Sequence, residues 1–321
     1  MEFLFAAAEP TPGEMLLQHL LIGLTNGSLF ALIAIGYTMV YGIIGLINFA
    51  HGDLFMLGSF LSLSLISTLT GYGLQSPIES TAVLVIVVAA LLIYSSLFCA
   101  GLNMAVDYVV YKPLRNAPKL APLVSAIGVS FVFMNIGLFW KGAADVDFPQ
   151  LISNENILGS EAAIRFTWND LMVISVTVPI MIALTLFVKF TRLGTAMRAT
   201  EQNPTAAALM GINVDRVIAL TFAIGGALGG AASVVYGLYI NTVSFQMGFQ
   251  NGLYAFTAAV LGGIGSIPGA VLGGLLIGLV RSLGSAYVGE KWTSVLVFGI
   301  LILILVFRPS GLLGSHAKEK V

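Results

Sequence analysis

An asparagine, a histidine and an aspartate fall within six residues of one another in GLINFAHGDLFMLGSF, residues 45–60: Asn48, His51 and Asp53. From Met15 to Gly52 the chain has no Asp, Glu, Lys or Arg, and after Asp53 it has none until Glu79. Three roles suit such a group. Asp53 could cap the next helix at a turn near the membrane surface. The three side chains could instead line a cavity with Phe49 and Gly52, with Asn48 orienting a solute and Phe49 and Leu54 offering apolar contact. His51 and Asp53 could also relay protons or hold a metal, but even a catalytic zinc site usually takes about three protein ligands.

The surroundings of these residues set the solvent. Of 321 residues, 58% are hydrophobic and 9% charged, with a mean hydropathy of +0.97. Soluble domains carry roughly 25% charged residues, so this chain is predicted to be a polytopic, all-α membrane protein whose solvent is lipid. Uncharged runs of 27 residues between Glu79 and Asp107, and of 64 between Arg216 and Arg281, agree with that, since a span needs about 20 apolar residues. The net charge of −1 gives no basis for binding nucleic acid. Cys99, the single cysteine, excludes an internal disulfide and reads as a small buried hydrophobe. The first 14 residues contain Glu2, Glu9 and Glu14 but no Lys or Arg. They lack the basic and apolar regions of a secretory signal and are expected to form a short exposed tail, with the first span directing insertion.

Stretches of spanning length fall at about 16–36, 54–70, 81–106, 120–140, 169–189, 217–236 and 292–307. Two more apolar stretches, 37–50 and 251–286, are not single clean helices; the second has room for two passes and is broken by Gly262, Gly263, Gly265 and Pro268. About eight or nine crossings are expected, all within one transmembrane domain over 1–321. Basic residues gather at Lys112, Arg115 and Lys119, at Lys189, Arg192, Arg198 and Arg216, and at Arg308, Lys318 and Lys320. Cytoplasmic loops are enriched in Lys and Arg, so these segments are expected inside, which leaves 141–168 and the N-terminus outside. Lipid gives helices no hydrophobic reason to associate, so close contact through small residues replaces it. The 36 glycines include Gly226-xxx-Gly230, Gly265-xxx-Gly269-xxx-Gly273 and Gly274-xxx-Gly278. Most are expected at helix contacts, and some, Gly262, Gly263, Gly265 and Gly269 among them, as bare backbone along a solute path.

The stretch 37–47 leaves too many residues for one span and too few for two. A bent or re-entrant segment hinged at Gly42, Gly45 and Gly52 satisfies the count. Irregular backbone survives at membrane depth only inside protein or beside a cavity, and transporters build solute sites from such broken helices.

The longest polar break is RLGTAMRATEQNPTAAALMGINVDR, residues 192–216. Asn203 can cap a helix that Pro204 begins, Ala206, Ala207, Ala208, Leu209 and Met210 favour it, and Gly211 can end it. A helix of about two turns is too short to be stable alone, so the membrane surface or another protein must support it.

TAAALMGINVDRVIAL, residues 205–220, resembles the Glu-Ala-Ala-xxx-Gly loop of ABC importer permeases, with Thr205 at the glutamate position. With GYTMVYGIIGLINFAHGDLFMLGSF at 36–60 and AAVLGGIGSIPGAVLGGLLIG at 258–278, the chain is similar to the branched-chain amino acid ABC permease family over about 15–313. The resemblance implies a multi-pass subunit of the bacterial inner membrane. Its expected partners are a second related permease, two cytoplasmic ATPases and a periplasmic binding protein. It also implies a short coupling helix at about 199–213, with Glu201, Pro204, Thr205, Ala206, Ala207 and Gly211 in the loop that meets the ATPase. The family uses no cofactor on this subunit; ATP and magnesium belong to the partner ATPases. The chain itself carries no G-x-x-x-x-G-K-[ST], no His-Glu-x-x-His and no nucleophile elbow, so a transport subunit rather than an enzyme is expected. Other readings are a permease for urea or short amides, an ion or proton-coupled carrier using His51 and Asp53, and a membrane-embedded enzyme.

Overall fold

A computed structural model describes residues 11–72, 76–115, 117–118, 120–159 and 162–314. Residues 1–10, Lys119, Glu161, Lys318 and Lys320, which enter the tail and charge expectations above, lie outside the described residues.

The chain begins with α1, Pro12–Ile44, started by a capping box in which Thr11 and Glu14 satisfy each other's backbone amides, with Pro12 in the first turn. It runs 33 residues without interruption. The expected boundary at residue 36 is therefore wrong, and 37–44 is not a re-entrant piece but the last turns of α1. Nothing in IGYTMVYGII breaks a helix until Gly45, which takes φ +65° and donates its N–H to Tyr41 O at 2.7 Å. The break is thus confined to residues 45–49, after which α2 runs Ala50–Gly71. α3, Thr81–Val106, continues through a π-helical turn, Asp107–Tyr111, into the short α4, Lys112–Leu114. Next come α5, Leu120–Lys141; β1, Val146–Asp147; and α6, Trp168–Phe190. The polar break holds α7, Arg192–Gln202, and α8, Pro204–Leu209, before α9, Val214–Ile240. β2, Thr242–Val243, leads to α10, Met247–Gly262, then α11, Ile267–Tyr287, and α12, Glu290–Phe307.

Among the described residues, eight helices, with 81–114 taken as one, are long and apolar enough to span a membrane. The protein is a polytopic helical membrane protein. α10 has 16 residues, roughly 24 Å at 1.5 Å per residue, short of the about 30 Å hydrocarbon core. The stretch 251–286 therefore holds one short and one full helix, parted where the sequence places Gly263 and Gly265.

α1 and α9 are buried over most of their middles, whereas α3, α5, α6 and α12 turn many apolar side chains outward. Glycine contacts set the core spacing. A Cβ on Gly278 would lie 2.3 Å from Gly23 O and Gly27 Cα, and one on Gly274 2.4 Å from Ala31 Cα, so α11 lies backbone-to-backbone on α1. Gly226 and Gly230 seat α9 against Cys99 and Ser95 of α3. β1 pairs antiparallel with β2, which ties the loop after α5 to the loop after α9. Arg115, Lys112 and the α7–α8 segment collect at the opposite end of α9, beside Asp215.

Candidate functional site

The break at 45–49 delivers three polar side chains into the protein rather than to its surface. Asn48, His51 and Asp53 are 2%, 0% and 1% exposed. The capping expectation for Asp53 is incorrect: Phe49 occupies the N-cap without a side-chain bond, and Asp53 lies in the first turn of α2. Its Oδ2 accepts a hydrogen bond from Ser130 Oγ of α5. The His51 amide donates to Asn48 O at 3.1 Å, and the His51 ring stands edge-on to Tyr37, centroids 4.7 Å apart, against bare backbone at Gly36 and Gly229. Both ring nitrogens of His51, Oδ1 of Asp53, Oδ1 of Asn48 and Oγ1 of Thr38 are buried with no hydrogen-bond partner among the described residues. A buried polar atom without a partner costs about 1–3 kcal/mol. Four of these atoms lie together on Asn48, His51 and Asp53, while Thr38 Oγ1 belongs to the neighbouring cavity beside Gly42.

The rest of the group is held tightly. Gly52 lies against Gly248 and Gly252 at the start of α10, so close that a Cβ on Gly52 would stand 2.4 Å from Gly248 O. The N-terminal ends of α2 and α10 therefore meet beside Asp53, whose Oδ1 would lie 2.9 Å from a Cβ on Gly248. Helix N-termini carry a partial positive charge, which suits the Asp53 carboxylate placed beside them. Phe49, half-buried, packs on Phe256 at 6.0 Å. Leu54 is fully buried in the core.

The other four glycines singled out for the path form a separate group at the α10–α11 turn. A Cβ on Gly262 would stand 1.9 Å from Gly269 O, and one on Gly263 2.3 Å from Gly314 N. Both contacts are backbone on backbone. The C-terminal segment is bonded to the same turn, Leu312 N to Leu261 O and Leu313 N to Gly262 O, each at 2.9 Å. Gly265, at φ +96°, is more open, and its nearest neighbour is Glu201 Oε1. The same carboxylate faces Gly42 near the end of α1, across a cavity of about 50 Å³ lined also by Thr38, Val188 and Met197. Partial burial raises the Glu201 carboxyl above its ordinary range. Glu201 thus joins the polar loop to the last turns of α1 and to the α10–α11 turn.

In that loop Asn203 Oδ1 accepts from Ala206 N at 3.0 Å and Pro204 begins α8. α8 has six residues, fewer than two full turns, and the expected single helix over 199–213 is two helices, because Asn203 at φ −159° ends α7 as it caps α8. Gly211 takes φ +84° and terminates the segment, with Ile212 N bonded to Ala207 O. Ala207 is buried, Thr205 and Ala206 are exposed, and Leu209 and Met210 are each 84% exposed. Two large apolar side chains thus stand exposed at the tip of a polar loop.

Sequence reasoning missed what holds the knot in place. α3 and the π-helical turn that follows it bury a narrow stripe that includes Ser95, Cys99, Asn103 and Asp107, spaced by four residues. Ser95 Oγ bonds Gly58 O and Ser233 Oγ, and Cys99 Sγ donates to Leu54 O. Asn103 accepts from Asn48 Nδ2 at 3.0 Å and donates to Phe222 O at 2.7 Å, joining the break to α9. Asp107 takes a two-pronged bond from Arg115 at 2.9 and 3.1 Å, and Arg115 also reaches Asp215 in the first turn of α9. The visible signal was a four-residue repeat of small or polar side chains in an otherwise apolar span.

The family described as branched-chain amino acid transport system / permease component matches residues 19–306. The chain is 43% identical over 307 residues to the high-affinity branched-chain amino acid transport system permease protein LivH of Salmonella typhimurium (strain LT2), covering 95% of this chain and 97% of that protein. It is 43% identical over 308 residues to the similarly described BraD of Pseudomonas aeruginosa, covering 95% and 98%. A probable branched-chain amino acid transport permease protein of Methanocaldococcus jannaschii is 27% identical over 320 residues, covering 95% and 94%. No solved structure matches.

Proposed function

Because the chain belongs to the family of branched-chain amino acid transport system permease components, we propose that it is one of two related membrane subunits of an ABC importer that passes leucine, isoleucine and valine inward across the bacterial inner membrane. The observation that carries this reading is the full-length similarity to permeases described for that transport. The second permease, two cytoplasmic ATPases and a periplasmic binding protein complete the machine, and ATP and magnesium reside on the ATPases.

The chain's own residues divide the work. The knot at Asn48, Phe49, His51, Gly52 and Asp53 lines the passage, where unpartnered polar groups and two helix N-termini receive the charged ends of an amino acid. His51 and Asp53 shape that place without carrying protons. The loop from Glu201 through Pro204, Thr205, Ala206 and Ala207 to Gly211 meets the ATPase, with Leu209 and Met210 as its apolar tip. Glu201, between Gly42 and Gly265, transmits the loop's displacement to α1 and to the turn that carries Gly262, Gly263 and Gly269.

The test is uptake by proteoliposomes holding the complete complex, supplied with its binding protein and internal ATP. Accumulation of labelled leucine, isoleucine or valine that stops without ATP supports the proposal. Uptake of urea or short amides instead reassigns the substrate, and uptake driven by a proton gradient without ATP overturns the mechanism.

A further inference from the structure

Among the described residues, one Lys or Arg lies deep within a membrane-spanning helix; the others stand near the ends of such helices, in connecting segments or, as Arg198 does, in the short α7. Arg281 is fourteen residues into the 21-residue α11, roughly 21 Å along its axis. Side chains on a helix lean back toward its N-terminus, which carries the guanidinium toward the middle of the membrane. It does not point at lipid. Leu272 and Leu276 mark the outward face of α11, whereas Arg281 continues the inward row of Gly274, Ile277 and Gly278.

The guanidinium lies over two aromatic rings, 5.0 Å from the centre of Tyr254 on α10 and 5.6 Å from that of Phe30 on α1. The rings meet edge to face at 5.8 Å, so they form a corner. Tyr254 is held in turn, its hydroxyl 2.9 Å from Ser294 Oγ and its ring stacked on Phe298 of α12. The rings engage the flat face of the cation. Its N–H edge, the part suited to carboxylate, has no hydrogen-bonded or ion-paired partner among the described residues. A charged residue at this depth is costly unless it faces a partner or a water-filled path, and such residues mark substrate pathways. Arg281 as a whole is half-buried.

We propose that Arg281, held flat by Phe30 and Tyr254, is a subsite for the α-carboxylate of the amino acid in transit. The proposal rests on the functional reading above and adds to it the residue that selects for a carboxylate. An uncharged amide such as urea gains nothing from the same cation. The competing occupant, a carboxylate from a helix of the second permease, is less favoured because Arg281 lies on the inward face of α11.

The test uses the complete transporter in proteoliposomes, with wild type, R281Q and R281K measured for heteromer recovery, ATPase stimulation by leucine-loaded binding protein, and leucine uptake. We expect R281Q to assemble and retain stimulated ATPase activity while leucine uptake falls roughly 10–100-fold, the loss of a paired charged contact. R281K, a point charge without the planar fork, should lose several-fold. Wild-type uptake by either assembled variant overturns the proposal. Loss of the second permease from both variants overturns it in favour of an ion pair between subunits. A wild-type complex that takes up no branched-chain amino acid fails the functional reading itself, a result visible before any variant is compared.

Discussion

At the scale of single residues, the asparagine pair decides how rigidly the break is held. Asn103 spends its side-chain oxygen on Asn48 and its amide on Phe222 O. Asn103→Leu removes both and leaves the Asn48 amide without its partner, which is expected to cost about 1–3 kcal/mol, read as a lower midpoint of thermal unfolding in detergent; an unchanged midpoint would mean that Asn48 finds another partner. Glu201 has a pH signature. Burial raises its folded-state pKa, so between the unfolded and folded values the folded protein binds more protons, and stability falls as pH rises through that window. Glu201→Gln removes this dependence. The variant's thermal midpoint should gain on wild type as the pH is raised above the ordinary glutamate value of 4.5, and parallel curves would refute a burial effect. His51 and Asp53 were legible because nothing around them in sequence is charged. Asn103 and Arg115 were not, because Asn103 meets Asn48 across 55 residues and Arg115 meets Asp215 across 100.

At the scale of elements, local chemistry was a good guide where the signal is itself local. Asn203, Pro204 and Gly211 do at α8 what their types predict: a cap, a first-turn residue and a left-handed stop. The division into α7 and α8 was not foreseen, because Asn203 serves both helices and α7 is held by burial of Gly194, Met197 and Thr200 rather than by a motif. Leu209 and Met210 are so exposed that replacing them leaves the bundle's packing untouched. The double change Leu209→Asp and Met210→Asp is therefore expected to preserve the thermal midpoint within about 0.5 kcal/mol and to abolish coupling, measured as ATP hydrolysis that no longer drives leucine uptake. Normal uptake by this variant would remove the loop from the ATPase contact. The extent of α1 was misjudged for a related reason: length alone suggested a break at residue 36, but a helix ends where a residue stops it, and the first such residue is Gly45.

At the scale of the whole molecule, a passage that alternates between two sides of a membrane must change its exposure during the cycle. Phe49 is half-buried at the edge of the knot, and the native Cys99 is fully buried, so a cysteine placed at 49 reports against a quiet background. In the assembled transporter Phe49→Cys is expected to react with a water-soluble thiol reagent at a rate that changes when loaded binding protein and ATP are supplied. A rate indifferent to both would place the break outside the passage.

The amino-acid sequence by itself determined that this chain lives in lipid, because 9% charged residues cannot cover so apolar a protein in water. It also determined the number of crossings to within one, the end of the bundle where the basic loops gather, and the cap chemistry of α8, all of which depend on composition or on residues a few positions apart. Only the tertiary structure decided that Asn48, His51 and Asp53 are buried with unpartnered atoms, and that Gly262 and Gly269 touch backbone to backbone. It alone showed that Arg281 faces inward over two rings. Those facts depend on which helix faces lie together. In a membrane, close contact between small residues sets those faces in place of a hydrophobic stripe, and 36 glycines offer far more possible contacts than the fold uses.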